Sequence, residues 1–202
     1  MKFKIVYIIL FNTIPITIGY ANNVAFTGIP GDANTGNDDS AQKKEVKIIG
    51  VGDIMLGTNY PSNALLPPND GKDILTPVKD VISRGDVSFG NLEGVVLTGN
   101  GPAKYCSNPK YCYTFKMPDH YVNYIKEAGF NLLSVANNHV QDFGSVGTAN
   151  TQKILKQSGI PHAGLEVCPY TTFVKNGLTY GFAAFAPNPG TVSINDYNKA
   201  KK

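Results

Sequence analysis

Polar side chains that can bind metal follow three apolar segments of this sequence. Asp53 follows the first segment, Asn91 and Glu93 end the second, and Asn138 and His139 end the third. Carboxylate, amide and imidazole groups are suitable ligands for Mg²⁺, Mn²⁺, Zn²⁺ or Fe. A glycine close to each cluster lets the backbone turn sharply there. The spacing therefore predicts a divalent metal site, provided that the three segments meet at one edge of the fold.

Each cluster also has an ordinary structural explanation. Aspartate is common in turns and at helix starts, so Asp53 taken alone is weak support for a metal. Glu93 taken alone is equally consistent with a surface carboxylate or with a lysine ion pair. The sequence Asn137-Asn138-His139 is harder to explain in this way. Adjacent polar groups at the end of an apolar strand are costly unless something polar organises them.

The order of predicted elements shows how the clusters would meet. Short apolar runs predict strands over residues 46–52, 87–92 and 130–136, and helical spacing predicts helices over 73–83, 118–128 and 145–158. Asn-Gly at 176–177 lies between two strand-like runs and predicts a hairpin. The first strand is expected to be buried, and the first helix to be amphipathic through its apolar residues (Ile74, Leu75, Val78, Val81 and Ile82). This order predicts an α/β fold with a mostly parallel sheet, in which ligands collect at the carboxyl ends of the strands.

Composition limits the classes of protein and partner. The chain has 202 residues, which allows one domain with a substantial core. Aliphatic and aromatic residues along most of its length exclude a globally disordered chain. The formal net charge is +3, and Arg84 is the one arginine among 18 Lys and Arg residues. Because phosphate recognition in nucleic acids depends strongly on arginine forks, the sequence predicts no nucleic-acid partner.

The N-terminus predicts export. Lys2 and Lys4 precede a short apolar stretch that ends in Gly19-Tyr20-Ala21, the pattern of a cleavable secretory signal. We therefore predict a signal peptide over residues 1–21, a flexible linker over 22–45 and a folded domain over 46–202. The expected location is the periplasm or cell envelope, and an uncleaved signal acting as a membrane anchor is the alternative.

Three cysteines would meet an oxidising environment after export. Cys106 and Cys112 flank a turn-like stretch that a disulfide could close, and Cys168 would then be left over. An odd number of cysteines leaves the pairing open at this stage.

Three motifs in this order resemble the bacterial capsule-synthesis CapA family, which belongs to the calcineurin-like metallophosphoesterase superfamily. They are residues 52–57 (GDIMLG), 91–94 (NLEG) and 136–144 (ANNHVQDFG). The resemblance covers roughly residues 46–185. It implies a metallophosphatase-like α/β sandwich, with helices flanking mostly parallel sheets and metal ions at the strand ends.

The resemblance also implies roles for the site residues. Asp53 matches the aspartate of the first metal motif of the superfamily, and Asn91 and Glu93 occupy its second motif. Asn138 and His139 match the asparagine–histidine pair of the third motif, in which the asparagine ligates metal and the histidine orients or protonates the reacting group. Asp142 is expected to hold the imidazole of His139, since histidines at metal sites usually have such a partner.

The sequence departs from the family pattern at two places. Met55 stands where a typical phosphoesterase has histidine, and the chain, which contains no tryptophan, ends at Lys202 without the family's His-Trp-Gly motif and later histidines. The expectation is a C-terminally truncated member with an incomplete second sheet.

The family resemblance, together with the departures from its pattern, leaves three interpretations open. The first is a metal-dependent hydrolase or transferase acting on an anionic cell-surface polymer such as poly-γ-glutamate, together with membrane capsule-synthesis proteins. The second is a non-catalytic polymer-binding or accessory protein of capsule assembly. The third is an inactive gene fragment.

Overall fold

The computed structural model of the chain describes residues 4–5 and 46–200. Apart from residues 4–5, the predicted signal peptide and the whole predicted linker lie outside these ranges. Within the described ranges, no helix is both long enough and apolar enough to cross a membrane. The elements in chain order are β1 (Lys4–Ile5), β2 (Ile48–Ile54), α1 (Thr76–Ile82), β3 (Val87–Leu92), β4 (Val95–Val96), β5 (Lys116–Met117), α2 (Tyr121–Glu127), β6 (Leu132–Ser134), α3 (Gly144–Ser158), β7 (His162–Ala163), β8 (Tyr170–Lys175), β9 (Leu178–Ala183) and α4 (Tyr197–Ala200).

A four-stranded parallel sheet forms the centre of the domain. Its strand order is β2-β3-β6-β7, and every neighbouring pair is parallel. Helix α1 connects β2 to β3, α2 precedes β6, and α3 connects β6 to β7. The predicted α/β fold with a mostly parallel sheet is therefore confirmed. Because parallel strands point the same way, the segments that follow β2, β3 and β6 leave the sheet at one edge.

The central sheet is packed on both faces. On one face, apolar residues of the strands contact buried residues of the three helices, including Ile82, Ile125 and Leu155. On the other face, Phe89 and Leu132 pack with Phe182 of β9. This second layer is a separate three-stranded sheet of order β1-β9-β8. The two layers give the sandwich arrangement that the family resemblance implies.

The second layer is built on the predicted hairpin. Strands β8 and β9 pair antiparallel, and Lys175 and Leu178 face each other across the two-residue turn. Both turn residues have positive φ, 51° for Asn176 and 75° for Gly177. A two-residue turn of this kind favours Asn-Gly because few other residues adopt that backbone conformation readily. The predicted hairpin is therefore confirmed.

Two expectations about burial are wrong. Strand β2 was expected to be buried, but it lies at the edge of the four-stranded sheet, and the side chain of Ile48 is 47% exposed. Helix α1 was expected to bury one apolar face, but Val78 and Val81 are exposed and Ile82 is the helix residue that is buried. The helix has only seven residues, so its contact with the core is limited to its C-terminal end and the preceding Leu75.

A long connection between β4 and β5 lies beside the carboxyl edge of the central sheet. The two short strands pair parallel, with Val95 opposite Lys116. Between them, Cys106 and Cys112 form a disulfide, and Cys168 is a free thiol. The structure thus resolves the cysteine pairing that the sequence left open. We refer to residues 98–115 as the disulfide loop.

Candidate metal and acid–base site

The carboxylates of the first two clusters meet at one amide group. Asp53, near the end of β2, is paired in register with Asn91 of β3. The Asn91 side-chain nitrogen donates hydrogen bonds to Asp53 Oδ1 at 2.8 Å and to Glu93 Oε2 at 2.7 Å. Three residues that the sequence places 38 and 2 positions apart are therefore in direct contact.

Glu93 is the buried carboxylate of this pair. Its side chain is buried, and burial raises the pKa of the carboxyl above its usual value. The negative charge of Asp53 raises this pKa further, while His139 and the hydrogen bond from Asn91 act in the opposite direction. Two carboxylates held close together in this way favour binding of a positive charge, because a cation relieves their mutual repulsion.

The third cluster places an imidazole next to this carboxylate pair. His139 lies in the turn after β6, and its Nε2 atom is 3.7 Å from Glu93 Oε1. On the other side of the ring, Nδ1 is 2.7 Å from Asp142 Oδ2. Asp142 is fully buried, and the same oxygen accepts a 2.7 Å hydrogen bond from the backbone N–H of Phe115. His139 thus connects Glu93 to a buried aspartate, as the sequence predicted for Asp142.

The contacts of Asp142 indicate which imidazole nitrogen carries the hydrogen. An ionised carboxylate accepts hydrogen bonds and cannot donate them. Because Asp142 Oδ2 is the partner of Nδ1, we assign the hydrogen to Nδ1 of His139. The Nε2 atom then faces Glu93 and is the nitrogen that can accept or release a proton.

Asn137 is a site residue that the sequence analysis did not select. Its side chain is buried and donates to the backbone carbonyl of Leu92 at 2.8 Å and to Asn91 Oδ1 at 3.2 Å. It also accepts a hydrogen bond from the backbone N–H of His139 at 3.0 Å. Asn137 therefore ties the end of β3 to the turn that carries the histidine. The sequence could have indicated Asn137 through its position next to Asn138, which the sequence analysis did select.

Asn138 occupies a different environment from Asn137. It lies on the turn directly before His139 and is exposed, whereas Asn137 is buried. The strand ends thus bring Asp53, Asn91, Glu93, His139 and Asp142 into one chain of contacts, and Asn138 is adjacent to it in sequence. Its role as a ligand stays a prediction.

The disulfide loop supplies two further neighbours of His139. The Phe115 ring lies 4.3 Å from the imidazole, measured between ring centres. The Lys104 ammonium lies 2.6 Å from Asp142 Oδ1. Lys104 is 35 residues from His139 in the sequence and belongs to no recognisable motif. Nothing in the sequence alone indicates this contact.

The donor groups supply part of the ligand set of a divalent cation that prefers oxygen ligands. Asp53 and Glu93 present two carboxylates on either side of one amide, and carboxylate and amide oxygens are ligands that Mg²⁺ and Mn²⁺ prefer. Among the residues that the structure describes, no three His, Cys, Asp or Glu side chains converge as a metal cluster. The amides of Asn91 and Asn138 would therefore have to complete the ligand set that the resemblance implies. The Asn91 side chain turns its nitrogen toward both carboxylates and its oxygen toward Asn137, so it could ligate a cation only after its amide group turns over.

Comparison with known proteins supports the family assignment. The family described as bacterial capsule synthesis protein PGA_cap matches residues 47–201. The chain is 31% identical to the capsule biosynthesis protein CapA of Bacillus anthracis over 115 residues, which is 56% of this chain and 27% of that protein. It is also 31% identical over 123 residues to the uncharacterized protein y4uA of Sinorhizobium fredii, covering 58% of this chain and 24% of that relative.

The matches cover a larger share of this chain than of its relatives. The chain spans about a quarter of the length of these curated relatives. The family match, in contrast, includes all the described elements from β2 onward and all six predicted site residues. On this ground the chain belongs to the PGA_cap family of bacterial capsule synthesis proteins.

Proposed function

We propose that this protein is a metal-dependent hydrolase or transferase that acts on an anionic cell-surface polymer such as poly-γ-glutamate. The observation that carries the proposal is the continuous chain of contacts from Asp53 through Asn91 and Glu93 to His139 and Asp142. A pair of carboxylates beside a histidine that is itself held by a buried aspartate suits metal-assisted acid–base chemistry.

The roles of the residues follow from their contacts. Asp53 and Glu93 would hold a divalent metal ion, with Asn138 as an amide ligand and Asn91 as a second one once its amide group turns its oxygen toward the ion. When bound, such an ion lowers the pKa of a coordinated water and polarises the bond under attack. His139 would deliver a proton to the leaving group from Nε2. Asp142 keeps the opposite nitrogen, Nδ1, engaged, so that Nε2 faces Glu93.

Location and partners form part of the same proposal. We propose export to the periplasm or cell envelope, with an uncleaved signal as the alternative, and cooperation with membrane capsule-synthesis proteins. The disulfide between Cys106 and Cys112 supports export, because disulfides persist mainly in oxidising compartments. The relative from Bacillus anthracis is named as a capsule biosynthesis protein, which supports a role in capsule assembly.

A second candidate function is a non-catalytic polymer-binding or accessory protein of capsule assembly. The observation that favours it is the Asn91 amide nitrogen, which already donates to both carboxylates and so partly satisfies them without a cation. Met55, at a position where the resemblance implies a histidine, is 40% exposed and lies after Asp53. A protein of this kind would bind the polymer and leave it intact.

One experiment separates the two candidates. Purified protein is titrated with Mn²⁺, Mg²⁺ and Zn²⁺ by calorimetry, and hydrolysis of a chromogenic phosphate ester and a γ-glutamyl amide is measured for the wild type, His139→Ala and His120→Ala. His120 is the matched control, because it is exposed and paired with Asp70 at 2.6 Å, outside the contact chain of the site.

The expected result is metal-dependent turnover that falls about 10²–10⁴-fold in His139→Ala and is unchanged in His120→Ala. Equal activity in the two variants would remove the proposed role of His139. Polymer binding without metal binding or turnover would support the accessory function instead.

A further inference from the structure

We propose that the disulfide loop binds the polymer, and that Tyr105, Tyr111, Tyr113 and Lys110 contact a chain that carries a carboxylate on each of its units. The choice of this ligand rests on the proposed function. The binding itself can be measured on the metal-free protein, without any turnover.

The disulfide loop carries three tyrosine side chains that the fold leaves exposed. The exposed fractions are 91% for Tyr105, 70% for Tyr111 and 64% for Tyr113. A group of exposed aromatic side chains on one short segment marks an interaction surface. Tyrosine suits such a surface, because its ring covers apolar parts of a ligand while its hydroxyl group can donate a hydrogen bond to a carboxylate.

The charge of the loop favours an anionic ligand. The disulfide loop contains Lys104 and Lys110 and has no Asp or Glu. The ammonium group of Lys104 lies 2.6 Å from the buried Asp142, so its charge is already balanced. The ammonium group of Lys110 has no carboxylate partner among the described residues and lies 5.6 Å from the centre of the Tyr111 ring. A carboxylate of the ligand can therefore pair with Lys110 beside an aromatic surface.

Stacked rings connect the loop with the candidate site. The rings of Tyr113 and Phe115 are stacked, with 6.3 Å between their centres and 29° between their planes. The Phe115 ring in turn lies 4.3 Å from the imidazole of His139. A polymer that contacts Tyr113 would therefore lie close to the group that the proposed function assigns to proton transfer. Because the carboxylates of Asp53 and Glu93 repel a polyanion, its attachment requires an attractive surface of this kind beside them.

The loop is closed and attached at both ends before any ligand binds. The disulfide between Cys106 and Cys112 closes its central part. At one end, the backbone N–H of Lys104 donates to the backbone carbonyl of Asp142 at 2.8 Å. At the other end, the backbone N–H of Phe115 donates to the Asp142 carboxylate at 2.7 Å. A surface that is already ordered loses less conformational entropy when it binds a ligand.

The test measures binding of a fluorescently labelled poly-γ-glutamate oligomer to the metal-free full chain, by fluorescence anisotropy over a series of salt concentrations. Tyr113→Ala should raise Kd about 2–10-fold, because it removes one aromatic contact. Lys110→Met should raise Kd about 2–5-fold at low salt and weaken its dependence on salt. Replacing all three tyrosines by alanine should have a larger effect than Tyr113→Ala. These side chains are exposed, so the variants should fold, and circular dichroism checks that they do.

Two matched variants and two further polymers serve as controls. Tyr170 is an exposed tyrosine of β8 and Lys79 is an exposed lysine of α1, and both lie outside the disulfide loop. Tyr170→Ala and Lys79→Met should therefore leave Kd unchanged. Polygalacturonate, which carries its carboxylates on sugar units, should also bind through the loop if carboxylates are recognised, and neutral dextran should not bind. Binding of dextran as tight as that of poly-γ-glutamate would overturn the inference.

The remaining outcomes separate this inference from the proposed function. Loop variants that bind poly-γ-glutamate as tightly as the wild type, or a wild type that does not bind it, would overturn the inference. If the wild type binds through the loop but shows no turnover with any metal, the proposed hydrolase or transferase activity fails and the inference stands. If the wild type turns over a γ-glutamyl substrate while the loop variants match it in both Kd and KM, the inference fails and the proposed function stands.

Discussion

Removal of the Asp142 carboxylate should destabilise the domain strongly. The carboxylate is fully buried and joins the two ends of the disulfide loop, through Lys104 and the backbone N–H of Phe115, to the imidazole of His139 on the turn after β6. Asp142→Ala deletes all three contacts at once, whereas Asp142→Asn keeps the size of the side chain and one acceptor oxygen.

The magnitude follows from the groups left behind. A hydrogen bond to a charged group contributes about 1.5–3 kcal/mol, and a buried donor left without a partner costs about 1–3 kcal/mol. Asp142→Ala leaves the Phe115 N–H and the His139 ring without this acceptor, while Lys104 can turn its ammonium to water. Because the carboxylate no longer has to be buried, part of this loss is recovered. We expect a net decrease in the free energy of unfolding of about 3–5 kcal/mol for Asp142→Ala and about 1–3 kcal/mol for Asp142→Asn.

Urea unfolding followed by circular dichroism measures these changes. Asp80→Ala is the matched control, because Asp80 is an exposed residue of α1, and it should alter the free energy of unfolding by less than about 0.5 kcal/mol. A value for Asp142→Ala within about 1 kcal/mol of that control would refute the reasoning. It would mean that the contacts of Asp142 do not hold the loop and the turn together in solution.

Two further predictions concern the carboxylate pair and the backbone near the site. Glu93→Gln should stabilise the metal-free protein, and its advantage over the wild type should grow as pH rises from about 4.5 in a pH series of urea unfolding. The reason is that the raised folded-state pKa makes the wild type lose stability as Glu93 ionises, and a gain that is independent of pH would contradict this. Gly164→Ala should decrease the free energy of unfolding by about 2–4 kcal/mol, because Gly164 has φ of 122° and an added Cβ would lie 2.6 Å from Ala136 Cβ. Gly99→Ala, where an added Cβ has open space, should change thermal stability little, and equal effects of the two would count against the steric explanation.

Much of the fold could be predicted because local signals and the global arrangement agree. Strand β3, predicted over residues 87–92, is confirmed with the same bounds, and helix α3, predicted over 145–158, runs from Gly144 to Ser158. The Asn-Gly turn defines the hairpin through backbone conformation alone. The burial of β2 and α1, in contrast, was predicted wrongly. An apolar pattern shows which face of an element can be buried, but the neighbours of that face are set by the rest of the fold.

The candidate site could likewise be predicted from the sequence only in part. Parallel strands bring their carboxyl ends to one edge, so the sequence could indicate that Asp53, Asn91, Glu93 and His139 belong together. The pairing of His139 with Asp142 was also accessible, since they are only three positions apart and the family pattern includes both. The choice between the two adjacent amides was not accessible, because burial of Asn137 and exposure of Asn138 depend on contacts with β3.

What the sequence by itself determined is the succession along the chain of three main strands, three helices and a hairpin, the residue types that follow the three strands, and the family resemblance. These properties depend on local patterns and on motifs that can be read along the chain. Only the tertiary structure decided that Lys104 neutralises Asp142 and that Phe115 lies against His139. The physical reason is that a long loop, closed by the Cys106–Cys112 disulfide, can place its side chains at many positions. Its actual position depends on the paired strands β4 and β5 and on a buried charge that requires a partner.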